Sequence, residues 1–266
     1  MKVNRTKSRL QDNEVVIGVA LQQYRSTELP RLFAAVGFDY LFIDSEHGGF
    51  SLETVQDLVI ASNQSGITPF VRVGEMHYSL VTRVLDVGAQ GIIFPRVENA
   101  TLLEEAIGWM KYPPQGTRGF GFMAPQLGYQ KLSMPEIMAH LNAQTMVIVQ
   151  FETELSIEKC DEILSVPGID VAMVGPTDLS ISLGVPGEFE HPRMLEAVEV
   201  FVEACNRHGV VPGIHCRDWI TAMPWLGRGM RFLGCGSEHG MMLEKARDTI
   251  ADVKFAVSKM TASVAD

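Results

Sequence analysis

Short, almost wholly apolar runs alternate with longer stretches of helical period along this chain. The runs lie at 15–21, 40–43, 68–72, 91–95, 145–151, 170–174, 211–214 and 231–235. Between them, helical periodicity covers 26–36, 52–65, 79–87, 99–110, 154–164, 192–207, 217–226 and 240–258. Strand-length runs separated by helix-length segments are the signature of βα units, and about eight such units predict an α/β fold closed into a parallel barrel. Gly37, Gly66 and Gly209 suit helix ends, and Pro192 suits a first helical turn. Segment 111–143 is rich in Gly and Pro and has no clean period, which predicts a functional loop or lid. The basic opening MKVNRTKSRL is followed by QDNE and not by an apolar h-region, so 1–13 reads as a loose N-terminus and not a secretory signal. The whole of 1–266 is expected to form one domain.

Four of the apolar runs end in an ionisable residue. LFI precedes Asp44-Ser45-Glu46-His47, PFV precedes Arg72, MVIVQF precedes Glu152, and VAMVGPT precedes Asp178. In a parallel barrel the side chains just past the strand ends converge on one face, where the active site sits. Glu152 and Asp178 suit a hard divalent cation, which takes carboxylate oxygens and leaves other positions to water and substrate. The structural alternative is that both residues favour helix N-termini. Backbone N–H groups around Gly175, Thr177 and Asp178 are placed to face an incoming carboxylate.

His47, exposed by the two glycines after it, suits acid–base work near neutral pH if a carboxylate fixes its tautomer. The other six histidines read as structural. Arg72 would either stabilise a developing oxyanion or close a loop by a salt bridge. No lysine terminates a candidate strand, so nothing advertises a Schiff base.

Composition narrows the partners. The chain is 46% hydrophobic and 20% charged, with no apolar stretch long enough to span a bilayer, and is expected to be cytoplasmic. Its formal net charge of −10 opposes nucleic acid and anionic membranes, so a small-molecule anion must be held by local groups. Cys160, Cys205, Cys216 and Cys235 have no CxxC spacing and read as reduced structural thiols.

The segments IDSEHG, FVRV, LDVGAQGIIFPRV, YPPQGTRG, VQFET and VGPTDLS, in this order and spacing, resemble the HpcH/HpaI aldolase family, the class II pyruvate aldolases. The resemblance runs over residues 15–258. It implies a modified (β/α)8 TIM barrel, assembled as a hexamer from dimers that swap a C-terminal helix, here 240–258. It also implies reversible cleavage of a 4-hydroxy-2-oxo acid to pyruvate and an aldehyde. Under it, Glu152 and Asp178 would bind Mg²⁺, Mn²⁺ or Co²⁺, and Gly175 and Thr177 would hold the pyruvate carboxylate. Gln150 would orient the ligand and Arg72 would stabilise the oxyanion. His47 would belong to the base system, paired with Asp86 across a subunit boundary, with Asp44 beside it. His215 occupies a strand-end position often apolar in relatives and would face substrate.

After GTRGFG, where many relatives carry further arginines, this chain reads FMAPQLGYQ. Phe120, Phe122, Met123 and Leu127 there suggest an apolar or aromatic aldehyde. Three alternatives stay open. The same site could decarboxylate oxaloacetate or cleave an acyl-CoA. Glycines in LGCGSEHG at 233–240 could cradle a phosphate in a barrel isomerase. The barrel could also be a non-enzymatic binding protein.

Overall fold

The computed structural model describes residues 2–121, 127–128 and 130–262. Eight parallel strands close into a barrel in chain order: β1 (Val16–Leu21), β2 (Tyr40–Asp44), β3 (Thr68–Arg72), β4 (Gly91–Phe94), β5 (Met146–Phe151), β6 (Val171–Val174), β7 (Val211–Cys216) and β8 (Phe232–Ser237). β1 pairs with both β2 and β8, which closes the ring. Around it lie α2 (Glu28–Val36), α3 (Leu52–Ser65), α4 (Tyr78–Asp86), α5 (Ala100–Met110), α10 (Pro192–His208), α11 (Trp219–Leu226) and the long α12 (Glu238–Ala262). The (β/α)8 expectation holds, and all eight strands fall where the apolar runs placed them.

Alternation along each strand sorts the core into two. Leu41, Ile43, Val71, Ile92, Val147 and Val149 face outward against the helices, while Tyr40, Phe42, Phe70, Ile93, Ile148 and Phe232 fill the lumen. The lumen rings are large, and glycines make room for them. Tyr40 lies over its register partner Gly18, Phe70 over Gly91, Phe232 over Gly213, and His215 over Gly234. Tyr40 also stacks on Phe232 with centroids 4.2 Å apart. A Cβ on any of the four glycines would sit inside van der Waals contact with the neighbouring side chain.

The expectation of a loose N-terminus over 1–13 is corrected. Arg5–Gln11 forms a helix, α1, capped by the Asn4 side chain, which accepts from the Lys7 N–H at 3.0 Å. Asn4 also donates to the carbonyls of Gln90 and Gln144, Thr6 donates to Thr68 Oγ1 at 2.8 Å, and Leu10 joins the lumen cluster. This helix plugs the N-terminal end of the barrel mainly through buried polar contacts, which an apolar-period reading does not register.

Segment 111–143 is likewise not all loop. Ser133 and Glu136 form a capping box at the start of α6 (Met134–Gln144), and a satellite core gathers Tyr112, Leu127 and Leu141. The stretch expected as one helix over 154–164 is two, α7 (Glu154–Glu158) and α8 (Cys160–Leu164), meeting at Lys159. A further short helix, α9 (Pro176–Ser182), follows β6. Among the described residues no helix is long and apolar enough to cross a membrane.

Gly18→Ala should drive its new methyl into the Tyr40 ring, whose lumen position is fixed by Phe70 and Phe232. The expected cost is about 2–3 kcal/mol, read as a lower urea midpoint at unchanged slope. An unchanged midpoint would show that the lumen is looser than its packing implies.

Candidate active site at the C-terminal mouth of the barrel

The mouth is organised around a buried ion pair between neighbouring strand ends. Arg72, last residue of β3, donates from Nε to Asp44 Oδ1 at 3.0 Å and from Nη2 to Asp44 Oδ2 at 2.7 Å. Asp44, last of β2, is fully buried and Arg72 nearly so. Their register pairing in the sheet sets this bidentate geometry. Asp44 also accepts from Gln22 Nε2 at 3.0 Å and from the backbone N–H groups of Glu46 and His47 at 3.0 and 3.2 Å. Burial works against the Asp44 carboxylate, but the Arg72 bonds, with Gln22 and the His47 N–H, outweigh it and hold its pKa below the usual range.

Beyond this pair, Arg72 Nη1 reaches Glu46 Oε2 at 3.1 Å and Gln150 Oε1 at 3.4 Å. The Gln150 amide donates to Glu152 Oε2 at 2.6 Å, and Glu152 Oε1 accepts the Arg96 backbone N–H at 2.8 Å. The path from Gln22 through Asp44, Arg72 and Gln150 to Glu152 is therefore unbroken. Burial, with the charges of Asp178 and Glu46 in support, pushes the Glu152 pKa up to about 7 against the opposing Arg96 N–H and Arg72. Asp178, in the first turn of α9, lies across the mouth, half-exposed, 3.9 Å from Arg96 Nη2.

Glu152 and Asp178 form an acidic pocket that no cation among the described residues neutralises tightly. Gly175 keeps that pocket open, because a Cβ there would fall 2.6 Å from Gln150 Nε2 and 2.7 Å from Glu152 Oε2. Among the described residues no three His, Cys, Asp or Glu side chains form a metal cage. Two carboxylates beside an open cradle fit a hard divalent cation that completes its shell with water and substrate oxygens.

Other predicted residues fall differently. The Gly175 N–H donates to the Phe151 carbonyl, so it is committed to the sheet, leaving Thr177 and Asp178 as first-turn donors of α9. The His47 side chain is mostly exposed, its Nε2 3.9 Å from Glu46 Oε1. Asp86 accepts from Arg118 Nη2 at 2.7 Å within its own chain and is not brought to His47 there.

His215 turns into the lumen beneath the mouth. Its Nε2 bonds the Gly236 carbonyl at 3.1 Å, its Nδ1 is buried without a partner, and its ring meets the Phe42 ring edge-on at 5.2 Å. Arg72 lies over the same Phe42 ring, with its guanidinium 5.0 Å from the centroid. Burial, with Arg72 nearby, lowers the His215 pKa to about 4, so the ring is neutral.

The glycines of 233–240 do not form a phosphate cradle. Gly234 accommodates the His215 ring, and Glu238 Oε1 already accepts the backbone N–H groups of Gln22, Gln23 and Tyr24 at 2.9, 2.6 and 3.0 Å. The apolar acceptor pocket loses part of its basis too. Leu127 is buried in the satellite core and Phe120 packs on Tyr112, with centroids 5.6 Å apart. Phe122 and Met123 lie outside the described residues.

Sequence reasoning missed Gln22, the grip of Glu46 on Arg72, and Arg96. Glu46 carried a signal, since it lies two residues past Asp44 and so on the same side of an extended chain. Arg96 immediately follows the run at 91–95.

A family model described as HpcH/HpaI aldolase/citrate lyase matches residues 25–244. The chain is 41% identical over 180 residues to a 4-hydroxy-4-methyl-2-oxoglutarate aldolase of Hapsidospora irregularis, covering 67% of each chain. It is 30% identical over 253 residues to a hydroxypyruvate/pyruvate aldolase of Roseobacter denitrificans, covering 95% of this chain and 98% of that one. The crystal structure of an HpcH/HpaI aldolase from Desulfitobacterium hafniense superposes with a TM-score of 0.89 at 29% identity, over 93% of this chain and 96% of the other.

Asp44→Asn should leave Arg72 as a buried, half-paired charge, at a cost of about 3–5 kcal/mol. The lowered Asp44 pKa contributes stability that is complete above the unfolded carboxylate value of about 3.9 and is lost as pH falls through the folded value. The difference between wild type and variant in denaturant titrations should therefore shrink below about pH 4. A gap that does not change with pH would contradict the ion-pair account.

His215 is neutral when folded and takes up a proton when unfolded. It should cost the fold up to about 1.4 kcal/mol per pH unit as pH drops from about 6.5 towards 4. His215→Phe should flatten that part of the stability profile, and equal slopes would show that the ring protonates in the folded state.

Proposed function

The chain belongs to the HpcH/HpaI aldolase/citrate lyase family, and we propose that it is a class II pyruvate aldolase cleaving a 4-hydroxy-2-oxo acid reversibly to pyruvate and an aldehyde or ketone. The observation that carries this reading is the continuous path Asp44–Arg72–Gln150–Glu152, ending at an acidic cradle that includes Asp178. In the cleavage direction a base takes the 4-hydroxyl proton, and the C3–C4 bond breaks as the carbonyl product leaves. The electron pair passes into the 2-oxo group as an enolate, which is protonated at C3 to give pyruvate.

A divalent cation (Mg²⁺, Mn²⁺ or Co²⁺) held by Glu152 and Asp178 would supply the Lewis acid that lets the 2-oxo group accept this charge. Gln150, fixed between Arg72 and Glu152, orients the ligand's oxo end. Arg72 cannot swing away, because Asp44 grips it twice, so its Nη1 edge is a preorganised positive charge for the developing oxyanion. Thr177 and Asp178 offer first-turn N–H groups to the pyruvate carboxylate.

His47 serves the base system. Its exposed ring suits pairing with Asp86 across a subunit interface in a hexamer of helix-swapped dimers. An apolar stripe on α12 that includes Met242, Ile250 and Val253 and stands exposed on the single chain supports such an assembly. The four cysteines are free, which supports a reducing, cytoplasmic setting.

The test is NMR of pyruvate methyl exchange in D₂O, with metal-stripped protein, with Mn²⁺ or Mg²⁺ restored, and with metal alone. Exchange should require protein and metal together. Glu152→Gln or Asp178→Asn should lower it by about a hundredfold or more. No exchange above the metal-only control would overturn the aldolase reading and direct attention to oxaloacetate and acyl-CoA substrates.

A further inference from the structure

Arg96 is the one non-glycine residue with positive φ at the mouth among those described, at 47°, and it is neither Asn nor Gly. An arginine held there is conformationally costly, and such outliers persist where the surroundings impose them. The imposing contact is its own N–H, which donates to Glu152 Oε1 at 2.8 Å. With its backbone fixed to the acidic cradle, Arg96 also carries its side chain over the same opening. The guanidinium does so, with Nε 3.9 Å from Glu46 Oε1 and Nη2 3.9 Å from Asp178 Oδ1.

The mouth's other arginine behaves differently. Arg72 is buried and held at 2.7–3.1 Å by Asp44 and Glu46. Arg118, further out, is buried against Asp86. Arg96 retains 59% of its side-chain exposure, and among the described residues its ion-pair contacts lie at the outer limit, 3.9 Å. Such a cation gives up little on rearranging to a tighter partner. Glu46 and Asp178 flank it at 3.9 Å without closing on it, so a planar anion can take the guanidinium's open edge. No lysine or arginine occurs in the sequence over 119–130.

We propose that Arg96 is the specificity-determining residue for the second substrate, pairing with a carboxylate carried by the acceptor carbonyl compound, as in a 2-oxo acid or a semialdehyde. This rests on the aldolase reading above, and it departs from the apolar acceptor suggested by Phe120, Phe122, Met123 and Leu127, of which Leu127 is buried and Phe120 packs on Tyr112. Arg96 touches no bond that forms or breaks. It raises the local concentration and fixes the orientation of the acceptor carbonyl for attack by pyruvate C3.

The experiment is steady-state aldol addition to pyruvate in the metal-loaded full-length protein. Two acceptors matched in size are compared, glyoxylate with its carboxylate and propanal without one, for wild type, Arg96→Met and Arg96→Lys. Pyruvate methyl exchange is run on the wild type in parallel. The ratio of kcat/KM for glyoxylate over propanal should fall about tenfold to a hundredfold in Arg96→Met through the acceptor KM. In Arg96→Lys, which keeps the charge and loses the fork, it should recover in part.

An unchanged ratio overturns the proposal, as does a raised KM for pyruvate with acceptor preference intact, which would assign Arg96 to the donor. Wild-type exchange without a change in ratio defeats the Arg96 role alone. Absence of wild-type exchange defeats the aldolase reading and this inference with it.

Discussion

Two charges removed from water, Arg72 and Asp44, hold the mouth of this barrel together. A buried pair of this kind is weak evidence of stability in itself, because desolvation can exceed the Coulombic gain. What makes it tenable here is that nearly every donor and acceptor is used. Asp44 takes Arg72 twice, Gln22 once, and two backbone N–H groups from the turn that follows β2. The same carboxylate therefore orients a guanidinium and folds the loop carrying Glu46 and His47. The geometry of the candidate site and that of the loop are one set of hydrogen bonds.

Glu238 performs a related task nearby, where β8 meets β1. Three successive N–H groups after β1 converge on one of its oxygens, so the β1 loop is tied to the start of α12. Gln22 belongs to both arrangements, giving its backbone N–H to Glu238 and its amide to Asp44. The first loop of the barrel is thus stretched between its last helix and its second strand. It tightens the ring where β1 and β8 meet across a register irregularity.

Much of this was legible in the sequence because it depends on period. Continuous apolar runs marked all eight strands, and the ionisable residue after each of four runs marked Asp44, Arg72, Glu152 and Asp178. What escaped depends on polar contacts between distant segments. Asn4 and Thr6 dock α1 by hydrogen bonds to Gln90, Gln144 and Thr68, and no local pattern announces such partners. The Ser133–Glu136 capping box was readable but was masked by the glycines and prolines before it. α9 is too short for a period to develop. His215 was singled out by the resemblance to relatives, and the contact that seats its ring over Gly234 lies on the neighbouring strand, out of reach of a local pattern.

The rings that lie over glycines on the adjoining strand do more than fill space. A strand that slipped by one residue would carry its ring from a glycine onto a side chain and would turn its lumen face outward. On β3, Phe70 over Gly91 and Arg72 beside Asp44 are two positions apart on one rigid strand, so neither can be misplaced without the other. Registers that pack the floor are the registers that assemble the chemistry above it. The barrel in effect proofreads its active site as it folds, rejecting wrong alignments by steric exclusion at a layer the substrate never touches.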